Sequence, residues 1–147
     1  MTKRRTQAER TKASETAIFK AAVSIIAKEG PNNMTLAMVG KAAGFTGGLV
    51  SHRFGSKSGL LQAVSERILE HWSARASEDK GLLASSGIER LKLAAEFYLN
   101  DVRKGSDLMV AQLRLMHASY SSCPDLLPYF QEFDQLVRAS IIDIITE

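Results

Sequence analysis

The sequence predicts an all-α protein, with an N-terminal three-helix domain holding a helix-turn-helix over residues 1–56 and a second helical domain over residues 57–147. Three observations predict it. Apolar side chains recur three and four positions apart along most of the chain, the period that places them on one face of a helix. Only three prolines interrupt 147 residues. The stretch TLAMVGKAAGFTGGLVSHRFGSK, Thr35 to Lys57, reads as two short capped helices joined by a tight turn.

The chain opens on TKRR, Thr2 to Arg5, a basic arm with no apolar anchor that suits a phosphate backbone or a minor groove, or is simply a solvated tail. Thr6-Gln7-Ala8-Glu9 has capping-box spacing and predicts a helix to about Glu29, with Ile18, Ala22, Ile25 and Ile26 buried. Gly30-Pro31 stops it, and Asn32 to Met34 form a loop. Thr35 caps the next helix, where Leu36, Val39 and Ala43 share a face, and Gly44 ends it. Phe45 is a buried turn residue and Thr46 a second cap. Val50 and Phe54, four apart, point back to the preceding helix. Gly40, Ala42 and Ala43 are small enough for a close crossing, which leaves Gly48 and His52 on the outer face, Leu49, Ser51 and Arg53 beside them, and Gly47 at the helix entrance. Lys57 follows at the start of a helix capped by Ser56. An ordinary helical hairpin inside a bundle satisfies the same spacing.

From Ser56 a longer helix is expected to about Ser77, with Leu60, Leu61, Val64, Ile68 and Trp72 on its apolar face. The polar run from Ser77 through Gly87 reads as a connection, with Leu82 and Leu83 tucked onto the core. A helix over Ile88 to Lys104 carries Leu91, Ala95, Tyr98 and Val102 at helical spacing, and Gly105 ends it. Ser106 and Asp107 open another, with Leu108, Met109, Gln112, Leu113, Met116 and Tyr120 as inward candidates, broken over Ser121 to Pro124. Asp125 is the expected cap of the last helix, whose first turn tolerates Pro128 and whose stripe is Phe130, Phe133, Val137, Ile141 and Ile144.

Charge divides the chain in two. Through Lys57 there are ten lysines and arginines against three acids, and after it nine against thirteen. A basic segment coinciding with a helix-turn-helix points to nucleic acid. No apolar run approaches the roughly 18 residues of a membrane-spanning helix, and the basic N-terminus leads into no apolar signal segment, so neither membrane nor export is expected. The single Cys123 forms no internal disulfide, and a cytoplasmic location is expected. His52, His71 and His117 are scattered and no Cys-x-x-Cys occurs, so no metal site is expected. No Gly-Lys-Ser/Thr ending follows the glycines, no nucleophile is marked, and neither a cofactor nor an enzymatic activity is expected.

AGFTGGLVSHRFGSK, Ala43 to Lys57, resembles the signature of the TetR family of bacterial transcriptional regulators, and the similarity extends upstream through AAVSIIAKEG and downstream through GLLQAV. Many members of that family carry Lys or another polar residue where this chain has Gly47, Tyr where it has Ser51, and Tyr or His where it has Arg53. The resemblance implies a double-stranded DNA partner with a palindromic operator, and DNA-facing residues drawn from Thr35, Thr46, Gly47, Gly48, Leu49, Ser51, His52, Arg53 and Lys57. It also implies that residues 57–147 form an effector-binding and dimerisation domain. That domain looks C-terminally truncated, because members usually continue through further helices that pair two subunits, and a homodimer is expected of the full-length protein.

The expected function is therefore a DNA-binding transcriptional regulator, a repressor released from its operator by a small-molecule effector. The alternative is a helical protein-interaction module that keeps the fold without regulated DNA binding. The second half offers Trp72, Tyr98, Met109, Gln112, Met116, His117 and Tyr120 as candidate effector-binding residues, apolar walls with a few polar tips. A well-filled core uses the same residue types.

Overall fold

The computed structural model describes residues 6–146, so the basic arm Thr2 to Arg5 lies outside the described residues. The described residues are helical, in the order α1 (Gln7–Glu29), α2 (Leu36–Ala43), α3 (Gly47–Phe54), α4 (Lys57–Glu78), α5 (Lys80–Ala84), α6 (Gly87–Lys104), α7 (Asp107–Ser119), a 3-10 turn (Pro124–Leu126) and α8 (Leu127–Thr146).

Local chemistry accounts for most of the boundaries. The Thr6 hydroxyl accepts from the Glu9 amide at 3.2 Å, and the Glu9 carboxylate accepts from the Thr6 amide at 2.7 Å, which completes the expected capping box. Thr35 accepts from Met38 N at 3.1 Å, Thr46 from Leu49 N at 3.2 Å and Ser56 from Gly59 N at 3.0 Å, so three successive helices each begin on a side-chain cap. Gly44 ends α2 in left-handed backbone, φ 79° and ψ 25°.

Two glycines are required by close approach. A Cβ on Gly40 would stand 2.7 Å from the Gly47 amide nitrogen, so the α2–α3 crossing has no space for any side chain there. A Cβ on Gly59 would overlap the carbonyl oxygen of Phe54, where the chain folds from α3 into α4. Gly40 is among the small residues anticipated from sequence. Nothing in the spacing singles out Gly59.

The core runs through both halves without a break. Ile18, Ala22 and Ile26 of α1, Val39 of α2 and Val50 of α3 belong to one buried cluster with Leu60, Val64 and Ile68 of α4, Met109 and Leu115 of α7, and Leu126 and Phe130. Helix α1 therefore braces the helix-turn-helix on one side and packs on α7 with the other.

Three expectations are corrected. The connection between α4 and α6 contains the short helix α5, because the Asp79 carboxylate accepts from Leu82 N at 3.0 Å and starts a turn that the surrounding serines and glycines conceal. Asp125 is not the cap of α8 but lies in the 3-10 turn before it, with its carboxylate accepting from the Ser58 hydroxyl at 3.0 Å. On α7 the buried set is Met109, Ala111, Gln112, Leu115, Ala118 and Ser119, with Met116 and Tyr120 exposed, since contact with α1 turns the inward face away from the one expected.

Candidate nucleic-acid interface

Helix α3 is positioned by its buried Val50, by half-buried Phe54 and by the backbone contact at Gly40. With those groups facing inward, Gly48 and His52 are exposed along the opposite side and Leu49 and Ser51 are half-buried at its edges. The caps Thr35 and Thr46 are also exposed. Two helix N-termini, carrying unsatisfied N–H groups and the positive end of the helix dipole, therefore stand beside the exposed strip of α3. Lys41, exposed on the last turn of α2, adds a cation that the sequence reading left out; being the only base of α2 was its one signal.

Residues 18–64 match the family model of bacterial regulatory proteins of the tetR family. Over this segment the chain belongs to the TetR family. The HTH-type transcriptional regulator CymR of Pseudomonas putida is 35% identical over 113 residues, which cover 74% of this chain and 56% of CymR. The HTH-type transcriptional regulator BetI of Vibrio campbellii is 30% identical over 104 residues, covering 71% of this chain and 52% of BetI. The chain spans about half the length of the curated relatives it matches. A solved TetR-family transcriptional regulator from Rhodococcus sp. superposes with a TM-score of 0.76 at 24% identity, over 90% of this chain and 70% of that one, a likeness of fold.

Several candidate residues have intramolecular work. A Cβ on Gly47 would lie 2.9 Å from Ala37 Cα, so the lack of a side chain there serves the helix crossing. Gly48 differs: a Cβ would meet only the Thr46 hydroxyl at 3.8 Å, an ordinary contact. The Arg53 guanidinium turns back to α1, donating to the Thr11 carbonyl at 3.4 Å and pairing with Glu15 at 3.3 Å. Lys57 donates from Nζ to the Asn32 carbonyl, which ties the start of α4 to the α1–α2 loop. Both cations are half-buried. Among the described residues, the exposed His52 and Gly48 show no such contact to another element.

The seven effector candidates of the second half do not converge on one cavity. Met109, Trp72 and Gln112 are buried, whereas Tyr98, Met116, His117 and Tyr120 are exposed. Around Trp72 the structure adds groups the sequence reading did not name. The Arg75 guanidinium lies 4.5 Å from the Phe97 ring centre and 5.2 Å from that of Trp72, and pairs with the buried Asp101 at 2.6 Å. Their signal was weak, because an Arg and an Asp on two different helices show no spacing that links them. The Trp72 indole N–H and the Gln112 amide oxygen are buried without a hydrogen-bond partner. Among the described residues no helix is long and apolar enough to cross a membrane.

Proposed function

We propose that this chain is the DNA-reading part of a dimeric transcriptional repressor, that α3 enters the major groove, and that a small molecule held among the helices after Ser56 releases it from a palindromic operator. One observation carries the reading: the exposed strip of α3, Gly48 and His52, shares the half of the chain that holds the positive excess with the exposed, capped N-termini at Thr35 and Thr46. His52 then donates to a purine edge, Leu49 meets a thymine methyl, and bare Gly48 lets the helix backbone approach the groove wall. Thr35, Thr46 and Lys57 serve phosphates, which fix register without reading sequence. Dimerisation follows from the size of the site, since one eight-residue helix offers few base contacts and two copies reach half-sites about 34 Å apart.

The relatives named above are HTH-type transcriptional regulators, which supports the DNA reading. The unpartnered Trp72 and Gln112 atoms support a ligand, because an orphaned buried polar group costs about 1–3 kcal/mol and a bound molecule recovers part of that. Selection from a pool of random duplexes tests the function. A recovered palindrome with half-sites one helical turn apart is the expected result; recovery of no preferred sequence, together with elution from duplex DNA at low salt, rejects it in favour of a helical interaction module.

A further inference from the structure

A further cleft of the described residues is lined, of the candidate effector residues, by His117 alone. It has a volume of about 670 Å3 and separates the α1–α2 loop, Gly30 to Asn32, from the outer side of α7 and the turn after it. Its walls are of two kinds. Pro31, Val110 and Leu113 make an apolar floor, while Arg114, His117 and the hydroxyl of Ser122 make a polar rim. No carboxylate lines it.

The rim sets the chemistry of an occupant. Arg114 lies against the loop: its Nη1 donates to the Lys28 carbonyl at 3.3 Å and would be 3.5 Å from a Cβ on Gly30. A guanidinium has five N–H donors in a planar fork, so one bond to a carbonyl leaves a further edge suited to an anion. A permanent cation beside an apolar floor, with no acid facing it, favours a molecule with an apolar body and a single anionic head, and disfavours cations and neutral isosteres.

The position of the cleft links occupancy to α3. Its loop wall runs directly into the Thr35 cap of α2, and the Asn32 carbonyl on that wall holds Lys57 Nζ at the start of α4, just beyond the recognition helix. Its other wall, α7, shares the buried cluster with α1. A ligand that parts the loop from α7 therefore moves the three-helix unit relative to the helices that carry it. We propose that this cleft is an effector site for small organic monoanions such as carboxylates, distinct from the buried Trp72 region. The inference rests on the reading of the chain as a regulated DNA-binding protein.

Octanoate and its uncharged analogue octanamide are the probes, used on the whole chain and followed by amide NMR shifts without DNA and by fluorescence anisotropy with the selected duplex. Octanoate should shift residues 30–32 and 113–122 and bind about tenfold more tightly than octanamide, the difference expected for one charge-assisted contact. Arg114→Ala should lower octanoate affinity about tenfold and Arg114→Lys far less, while Ser122→Glu, at an exposed position, should abolish binding by repulsion with the fold intact. Octanoate should also weaken duplex binding. Equal affinity for the two probes, shifts confined to the surroundings of Trp72, or cleft binding that leaves duplex affinity unchanged would each overturn the proposal. The DNA reading fails by a separate result, absence of duplex binding before any probe is added.

Discussion

Replacing Gly40 by Ala isolates the contact that sets the angle of the recognition helix. Helix propensity alone favours the change by up to about 1 kcal/mol, because glycine loses more backbone freedom on entering a helix. The geometry opposes it. The added methyl would stand 2.7 Å from Gly47 N and from Thr46 C and 2.8 Å from Thr46 O, all backbone atoms that no rotamer change can move, where ordinary contact begins near 3.4 Å. Helices α2 and α3 must separate by several tenths of an ångström, and overpacking of this kind costs about 1–3 kcal/mol. With backbone on the receiving side the upper end applies, and a net loss of about 2 kcal/mol remains. For a chain of this length that is a fall in Tm of about 4–8 °C, read by circular dichroism at 222 nm. Gly48→Ala is the matched control. The same methyl meets only open solvent and an ordinary contact at 3.8 Å, so stability should hold or rise by a few tenths of a kcal/mol. In duplex binding Gly40→Ala should lose at least tenfold, since the face of α3 is displaced relative to the caps proposed to meet phosphate. A Gly40→Ala protein as stable as Gly48→Ala would refute the steric account of the crossing.

Lys57→Ala should weaken binding to every duplex alike and flatten the dependence of log affinity on log salt by about one unit, as measured by anisotropy over a salt series; an unchanged slope removes Lys57 from the phosphate contacts. His52→Ala and Leu49→Ala should each relax base preference at one position of the selected half-site, costing about 1–3 kcal/mol of discrimination, and retention of the full preference by both rejects this assignment of base readers. Asp101→Ala leaves the half-buried Arg75 guanidinium against two rings with its carboxylate gone, which should cost about 1–3 kcal/mol in urea unfolding, and a loss under 0.5 kcal/mol shows that solvent already screens the pair.

Which residues start and stop helices was readable from the chain itself. Thr6, Thr35, Thr46 and Ser56 each cap through a bond to an amide three residues on, and Gly30 and Gly44 end helices through their own backbone freedom, so the information lies within one turn of each position. The helix-turn-helix and its outer residues were legible for the same reason, because the faces of two short adjacent helices are set by the turn between them. Which face a helix buries further along the chain was decided by what it packs on. Spacing on α7 admitted both the set ending at Met116 and Tyr120 and the set ending at Leu115 and Ala118, and only contact with α1, some 80 residues earlier in sequence, selects the second. Arg53 reads from its position as a DNA-facing cation, yet its side chain is long enough to reach Thr11 and Glu15, which the fold brings beside it. The Arg75–Asp101 pair and the cleft between Pro31 and Arg114 join residues tens of positions apart. Periodicity within one helix carries no information about such pairs, because it is the packing of separate helices that makes them neighbours.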